Sequence, residues 1–517
     1  MGVRVATANE TVACERAAIQ MGVSSAELMR RAGEGAADEI ASAIEEGRNR
    51  VLVFAGSGNN GGDGWIAAEA LARKGFTVTV AETGAPRSPE ARDAKERALE
   101  ARVVLGAGDA GDARIVVDAL LGTGSTGAPR GETALAIHEI ERRRDAGAMV
   151  VAIDLPSGLD ATTGDHVGSV HADLSVAFGT VKRGHLLARD VCGEIVVLDI
   201  GLGEMDEMAR LPVVVDKAWV RERVPSIPSA AHKGTRKRLA IVGGGRGMAG
   251  AVILAGEGAL RSSIGLVTIV AWSGNALPVH AGIPAAIFHP WPVDPDELAK
   301  LIASVDAIAI GPGLGATTET RDLVERVLLA WSGPVVLDAD GINLFHGDID
   351  SLSALLRGRP SIITPHPAEM GRLLGVSTED VLRNRFEIGI EVSRRLGSAV
   401  LLKGTPTVVF APSGGRLVSA SGTAALATCG SGDILTGIVG TLLAQMCDAS
   451  APLDIPVAHS AVEAAACAAF IHGRAAELCG PVRGTTLDDV LHAMPAAWNE
   501  PVVPLPRGVL ARFGSYS

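Results

Sequence analysis

Aromatic side chains are scarce in this chain: Phe, Trp and Tyr together make up 3% of its 517 residues, whereas glycine is abundant at 63. That pairing disfavours an all-β sandwich and points to an α/β fold with many tight strand-to-helix turns. Cysteine is sparse too. Cys14, Cys192, Cys429, Cys447, Cys467 and Cys479 are scattered without a CxxC pair, which disfavours a zinc site and fits a reducing interior. No long basic run occurs and the formal net charge is -12, so neither nucleic acid nor an anionic membrane is an expected partner. No run of about 18 purely apolar residues occurs, so no membrane span is expected. The opening MGVRVATANETVACERAAIQ lacks the apolar core of a signal peptide, and the cytoplasm is the expected compartment.

Hydrophobic residues make up 47% of the chain, enough for large cores, and the length is too great for one. Two α/β series follow each other. In the first, Val51–Ala55, Thr77–Ala81, Ile115–Ala119, Val150–Ile153, Val176–Phe178 and Ile195–Ile200 read as buried parallel strands. Helices are expected at Val12–Met21, at Ser25–Glu46 with Ser25 as its cap, and at Gly64–Lys74. The composition shifts after residue 203, through charged Glu204–Arg210 and Pro-containing Val224–Ser229. A second series opens at Arg238 and includes Leu266–Val270, Ala307–Ile310, Val335–Leu337, Ser361–Ile363, Val400–Leu402 and Thr407–Phe410. The expectation is two doubly wound α/β domains, 1–212 and 213–500, with 501–517 as a flexible tail.

In the first series three strand ends carry oxygen-rich, glycine-rich turns. Gly56-Ser57-Gly58-Asn59-Asn60-Gly61-Gly62-Asp63-Gly64 closes the first strand; with no Lys after it, it is not a Walker loop. A generic dinucleotide turn stays open for this segment alone. Asp118-Ala119-Leu120-Leu121-Gly122-Thr123-Gly124-Ser125-Thr126-Gly127-Ala128 and Asp154-Leu155-Pro156-Ser157-Gly158-Leu159-Asp160 follow. Open α/β sheets bind ligands at such ends. Turn capping is the plain alternative for Asp118 and Asp160.

The second series holds Gly311-Pro312-Gly313-Leu314-Gly315, Asp338-Ala339-Asp340-Gly341-Ile342-Asn343, Thr364-Pro365-His366-Pro367-Ala368-Glu369, Lys403-Gly404-Thr405-Pro406-Thr407 and Cys429-Gly430-Ser431-Gly432-Asp433, in that order. The last joins a small-residue turn to an apolar helix. Helix-start N–H groups favour anions, and Asp433 stands where it can take a proton from a hydroxyl beside a terminal phosphate. Lys403 ends a strand and can meet a phosphate as a point charge. His366, between two prolines, is held in one direction. Cys429 reads as buried packing. His232-Lys233-Gly234-Thr235 opens this half ahead of its first strand. His459 and Glu463 share a helix face, but a third metal ligand is missing.

With these motifs the second half resembles the ribokinase-like ADP/ATP-dependent NAD(P)H-hydrate dehydratases, and residues 1–212 resemble the NAD(P)H-hydrate epimerase domain. The resemblance implies two linked activities. One interconverts the R and S hydrates, NADHX and NADPHX; the other dehydrates the S form with ADP or ATP and magnesium. It implies hydrate contacts in the epimerase at Asn59, Asn60, Gly61, Gly62, Asp63, Gly122, Thr123, Gly124, Ser125, Thr126, Gly127, Ala128 and Asp154. It implies a potassium ion on Asn60, Asp118 and Ser157. In the dehydratase it implies hydrate contacts at Ala251, Gly313, His366 and Asp433, and adenylate contacts at Lys403, Gly404, Thr405, Pro406, Thr407 and Gly432. Asp433 and Asp154 are then the catalytic carboxylates, ADP is the expected donor, and a homo-oligomer the expected assembly. Two alternatives stay open: a small-alcohol kinase on the same core, and an N-terminal half that only binds.

Overall fold

The computed structural model describes residues 2–43, 49–106, 111, 113–203, 205–292, 294–447 and 457–515. They form two compact units: Met1–Val213 with Val503–Ser517, and Val214–Val502.

The first unit holds β1 (Val5–Ala6), β2 (Arg50–Ala55), β3 (Thr77–Glu82), β4 (Val104–Leu105), β5 (Ile115–Ala119), β6 (Met149–Ile153), β7 (Leu174–Phe178), β8 (Val181–Lys182) and β9 (Glu194–Leu198). The middle strands β5 and β7 are wholly buried, and β6 is buried but for Met149, as their Val, Ile and Ala runs require. An eight-stranded sheet runs in the order β20-β9-β7-β6-β5-β2-β3-β4, where β20 is Val509–Phe513. The chain leaves β2 for one edge and returns at β5 toward the other, so the topological switch lies between β2 and β5. Two apolar clusters cover the two faces. The pair β1 and β8 forms a separate parallel ribbon, with Ala6 opposite Lys182.

The second unit carries β10 (Val213–Val214, at its border), β11 (Arg238–Val242), β12 (Leu266–Ala271), β13 (Ile287–Pro290), β14 (Ala307–Ile310), β15 (Val335–Leu337), β16 (Ser361–Ile363), β17 (Ala399–Leu402), β18 (Thr407–Phe410) and β19 (Arg416–Ser419). Their order is β10-β19-β18-β17-β16-β15-β14-β11-β12-β13. From β13 to β17 the strands are parallel, and β17-β18-β19 are antiparallel. Here the switch lies between β11 and β14. Helices Ala249–Arg261 and Ser431–Met446 cross at glycine contacts. A Cβ on Gly437 would lie 1.9 Å from the Ala255 carbonyl oxygen, and one on Gly258 2.4 Å from that of Ile434. Only glycine allows this approach, and it fixes the start of the second helix, where Asp433 sits.

Three expectations need correction. The segment 501–517 is not loose throughout: Val509–Phe513 adds an antiparallel strand to β9. The reason is the open edge of β9, whose unpaired backbone groups take a partner. Arg512 reinforces it with ion pairs to Glu194 and Glu39. Deleting residues 503–517 is expected to lower the stability of the first unit by about 1–3 kcal/mol. Unchanged thermal melting of that unit would refute this. Second, the helix expected at Ser25–Glu46 is Ser25–Ser42 and is capped by Ser24, whose hydroxyl accepts the Glu27 N–H; Glu46 lies outside the described residues. Third, Cys429 is exposed, not packed, because the tight turn at Gly430 (φ 97°) leaves it on the outside.

Candidate functional site

In the first unit β2 passes into helix Asn59–Arg73 with almost no loop. Asn59, Asn60, Gly61, Gly62 and Asp63 form its first turns behind Gly58. The sequence reading starts this helix at Gly64; it starts five residues earlier because the glycines answer to packing. A Cβ on Gly61 would lie 1.9 Å from the Gly56 carbonyl oxygen, and one on Gly64 2.5 Å from the Ala119 Cβ. The helix is thereby seated hard against β5, and its first side chains reach the switch point.

Three oxygen-bearing side chains meet there. Asn60 donates Nδ2–H to the Leu121 carbonyl at 2.9 Å, and its Oδ1 is buried without a hydrogen-bond partner. Asp118 is fully buried. Its Oδ1 accepts from the Leu120 N–H (3.2 Å) and the Ser157 hydroxyl (2.6 Å), and its Oδ2 from the Ser157 N–H (2.7 Å). Burial pushes its carboxyl up to about 6, against those hydrogen bonds, which pull it down. Gly122 packs on Asn60, where a Cβ would lie 3.2 Å from the Asn60 Cβ. Ser125 turns its N–H and hydroxyl back onto the Gly122 carbonyl. Thr123, Gly124, Thr126, Gly127 and Ala128 line the rest of this half-exposed or exposed turn.

Asp154 follows β6 in a left-handed conformation, φ 65°, uncommon for a residue with a Cβ. Its Oδ1 takes a hydrogen bond from the buried Lys182 ammonium at 2.5 Å. Lys182 Nζ also donates to the Phe178 carbonyl (3.2 Å) and the Thr180 carbonyl (3.4 Å). Burial, then the Asp154 charge, push Asp63 and Glu15 up, and Lys182 opposes this in both. His185 accepts the Lys182 N–H on Nδ1 at 3.2 Å; burial and Lys182 push it down to about 3, so it is neutral. Sequence reasoning missed Lys182 and Glu15. The available signal was a lone Lys after a strand, and only the β1–β8 pairing shows that it is buried.

In the second unit Asp338, at the end of β15, is the centre. It accepts from Lys403 Nζ (2.7 Å), the Thr364 hydroxyl (2.8 Å) and the Thr436 hydroxyl (2.6 Å). Burial pushes its carboxyl up, but Lys403 and these hydrogen bonds prevail and hold it below the usual range. For Lys403 burial works against the charge, yet Asp338 and then Glu369 hold its ammonium above the ordinary value. A Cβ on Gly432 would lie 3.3 Å from Lys403 Nζ, so the ammonium abuts the turn before Asp433. Asp433 is pushed up to about 7, by burial first and then by the Asp338 charge, with Lys403 opposing. Asp338 opens the pattern Asp338–Asn343, and nothing in the sequence alone gives it a role.

The remaining residues stand around this centre. Gly311, Gly313 and Gly243–Gly245 lace the ends of β11 and β14 together: the Gly245 N–H donates to the Gly313 carbonyl at 2.7 Å. Gly313 (φ 56°) abuts Ala251, so these two expected contacts are neighbours. The turn Gly404–Thr407 is tied by buried Arg385, which donates to the carbonyls of Lys403 (3.3 Å) and Pro406 (3.0 Å). Thr407 donates its hydroxyl to the Gly404 carbonyl, and the Thr405–Pro406 bond is cis. His366 caps helix Pro367–Leu374: its Nδ1 accepts the N–H groups of Ala368 and Glu369. Its Nε2 lies 3.3 Å from Glu369 Oε1. Burial, with Lys403, pushes the ring's pKa down. Glu463 pairs with Arg223, and the His459 side chain lies outside the described residues.

Fold and sites together define a two-domain α/β enzyme: a Rossmann-like unit with an oxygen-lined switch point, and a ribokinase-like unit with a lysine and a carboxylate at a helix start. Residues 239–494 match the family described as NAD(P)H-hydrate dehydratase, and residues 25–184 that described as YjeF-related protein N-terminus. The bifunctional NAD(P)H-hydrate repair enzyme Nnr of Escherichia coli is 35% identical over 91% of this chain and 88% of its own length. That of Hyperthermus butylicus is 34% identical over 93% and 90%. The chain belongs to this family of bifunctional NAD(P)H-hydrate epimerase and dehydratase enzymes. Among solved structures, a Bacillus subtilis ADP/ATP-dependent NAD(P)H-hydrate dehydratase co-crystallized with ATP and Mg2+ is 29% identical over 55% of this chain and 96% of that one, with a TM-score of 0.46. A plain small-alcohol kinase and a merely binding N-terminal half give way to a match that spans both halves. Among the described residues no helix is long and apolar enough to cross a membrane.

Proposed function

We propose that in this enzyme Asp433 is the base of the dehydratase and Asp154 the proton carrier of the epimerase. The dehydratase assignment rests on one observation above all: the Asp338–Lys403 pair abuts a glycine turn whose next residue is a carboxylate pushed up to about 7. Asp433 takes the proton of the C6 hydroxyl as its oxygen attacks the terminal phosphorus of ADP and AMP leaves. The phosphate ester then departs from C6, a proton leaves C5, and the dihydropyridine ring is restored with AMP and phosphate as products. Lys403 and Gly432 face the transferring phosphate, Gly404 to Thr407 the adenylate, and Ala251, Gly313 and His366 the hydrate. Magnesium would come with the nucleotide, held chiefly by its phosphate oxygens, and would supply charge neutralisation there while Asp433 stays free as the base. Incubating the protein with S-NADHX and either ADP or ATP, while following NADH absorbance, tests the reading. No nucleotide-dependent NADH would overturn it. The cytoplasm is the compartment this reading expects.

Potassium suits the first unit by the chemistry of the donors. Asn60 Oδ1 is a buried oxygen without a partner, Asp118 is a buried carboxylate, and Ser157 adds a hydroxyl. A hard cation takes oxygen ligands of this kind and would offset the burial of Asp118. Its binding requires ionised Asp118. With that carboxyl raised to about 6, the charge is present above that pH and lost as the pH falls through it. Potassium, against lithium, is expected to raise the melting temperature of the first unit at pH 8 and to do little at pH 5. Asp118→Ala should remove the difference. The same melting in both salts at pH 8 would refute the site.

A further inference from the structure

The His232–Thr235 motif, which no step above uses, borders a cavity of about 540 Å3. The walls are His232, Lys233, Arg238, His289 and Lys300, and Leu266, Ile287 and Leu301 supply apolar surface. Arg238, Leu266 and Ile287 are the first residues of β11, β12 and β13. The cavity therefore lies at the N-terminal ends of the parallel strands. The catalytic turns follow their C-terminal ends, one strand length or roughly 15 Å away. We propose that this cavity is a second ligand site of the dehydratase unit, for a small molecule that joins a phosphate group to an apolar body.

Charge and construction carry the proposal. In a chain of net charge -12, five cationic or imidazole side chains line one cavity, and among the described residues no carboxylate does. Lys233 and Lys300 have no carboxylate partner among the described residues. Arg238 is held by Asp306, which accepts its Nε–H at 3.1 Å and its backbone N–H at 2.8 Å, so its outer nitrogens remain for a ligand. The motif itself is rigid. His232 Nδ1 accepts the N–H groups of Gly234 (3.1 Å) and Thr235 (3.4 Å), which leaves Nε2–H as a free donor. A Cβ on Gly265 would lie 2.0 Å from the Lys233 carbonyl oxygen, so this backbone is pressed against the β12 approach. A fixed imidazole N–H, a guanidinium and two ammonium groups around one space are the chemistry of phosphate recognition. The volume is several times that of the bare ion and falls in the range of small-molecule pockets. Leu266, Leu301 and Ile287 offer that surplus space to an organic body.

Equilibrium dialysis of the full chain tests this, with labelled AMP in one arm and labelled inorganic phosphate in the other. Wild type is compared with Lys233→Ala/Lys300→Ala. The expected result is that the double variant loses one AMP equivalent per chain, or binds it at least about tenfold more weakly, as loss of charge-assisted contacts implies. Dehydratase kcat and the KM for ADP should stay at wild-type values, since neither lysine belongs to the catalytic machinery. Loss in the AMP arm alone supports an organic phosphate, and loss in both arms supports the free ion as an occupant too. Equal stoichiometry and affinity of wild type and variant in both arms would overturn the site. Because the site stands apart from Asp433, its failure would leave the dehydratase reading intact.

Discussion

Asp433→Asn is expected to lower nucleotide-dependent NADH formation by about 10²–10⁴ while epimerisation continues, the usual worth of a positioned general base. The amide keeps the shape of the helix start, so Gly430 and the packing of Gly437 on Ala255 should hold the fold. What is lost is the acceptor for the hydroxyl proton. The pH dependence follows from the same environment. The base form of Asp433 exists above about 7 and is lost as the pH falls through that value, so kcat/KM for the S hydrate should fall on the acid side of about 7. The shift arises from burial first and the Asp338 charge second, with Lys403 pulling the other way. Lys403→Met should therefore move the acid limb to higher pH as well as weaken ADP. A flat profile from pH 5 to 8 in wild type, or wild-type turnover by Asp433→Asn, would take this residue out of the mechanism.

Much of this site was legible because its carboxylates stand at the ends of strands that the sequence marks plainly. Asp118 ends a wholly apolar run, Asp154 follows another, and Asp433 opens a helix behind a glycine turn. Partners from afar were not legible. Lys182 ends the two-residue strand β8, which pairs with residues 5 and 6, and nothing local announces that it is buried. Glu15 reaches the same site from the N-terminal helix Ala8–Gln20, through long-range packing. The role of Asp338 appears only once Thr364, Lys403 and Thr436 close around it from three elements. The strands β13, β19 and β20 were missed because four or five residues with polar or proline interruptions carry a weak period-two signal, and sheet edges decide their fate. The glycine segment before Asp63 misled in the other direction. Glycine reads as loop, yet here Gly61 and Gly62 lie within a helix that must touch β5.

Asp154→Asn is expected to abolish enzymatic epimerisation, by about 10²–10⁴, with S-hydrate dehydration retained. The structure adds a complication that the sequence did not contain. Asp154 is the carboxylate partner of Lys182, which is buried with its other hydrogens on two carbonyls. Removing one partner of a buried pair strands the other charge, a loss of about 3–5 kcal/mol in comparable cases. A dead Asp154→Asn enzyme would thus be ambiguous between chemistry and unfolding. The double variant Asp154→Asn/Lys182→Met separates the two. With no ammonium left to strand, the first unit should regain most of the lost melting temperature. Epimerisation should stay as slow as in the single variant, because no carboxylate remains to carry the proton. Both quantities are measurable on one sample, by thermal melting and by following pure R hydrate after correction for its spontaneous epimerisation. If activity returned along with stability, Asp154 would be a scaffold for Lys182, and the proton carrier would have to be sought at Asp63 or Glu15, which burial and neighbouring charge already hold above their ordinary values.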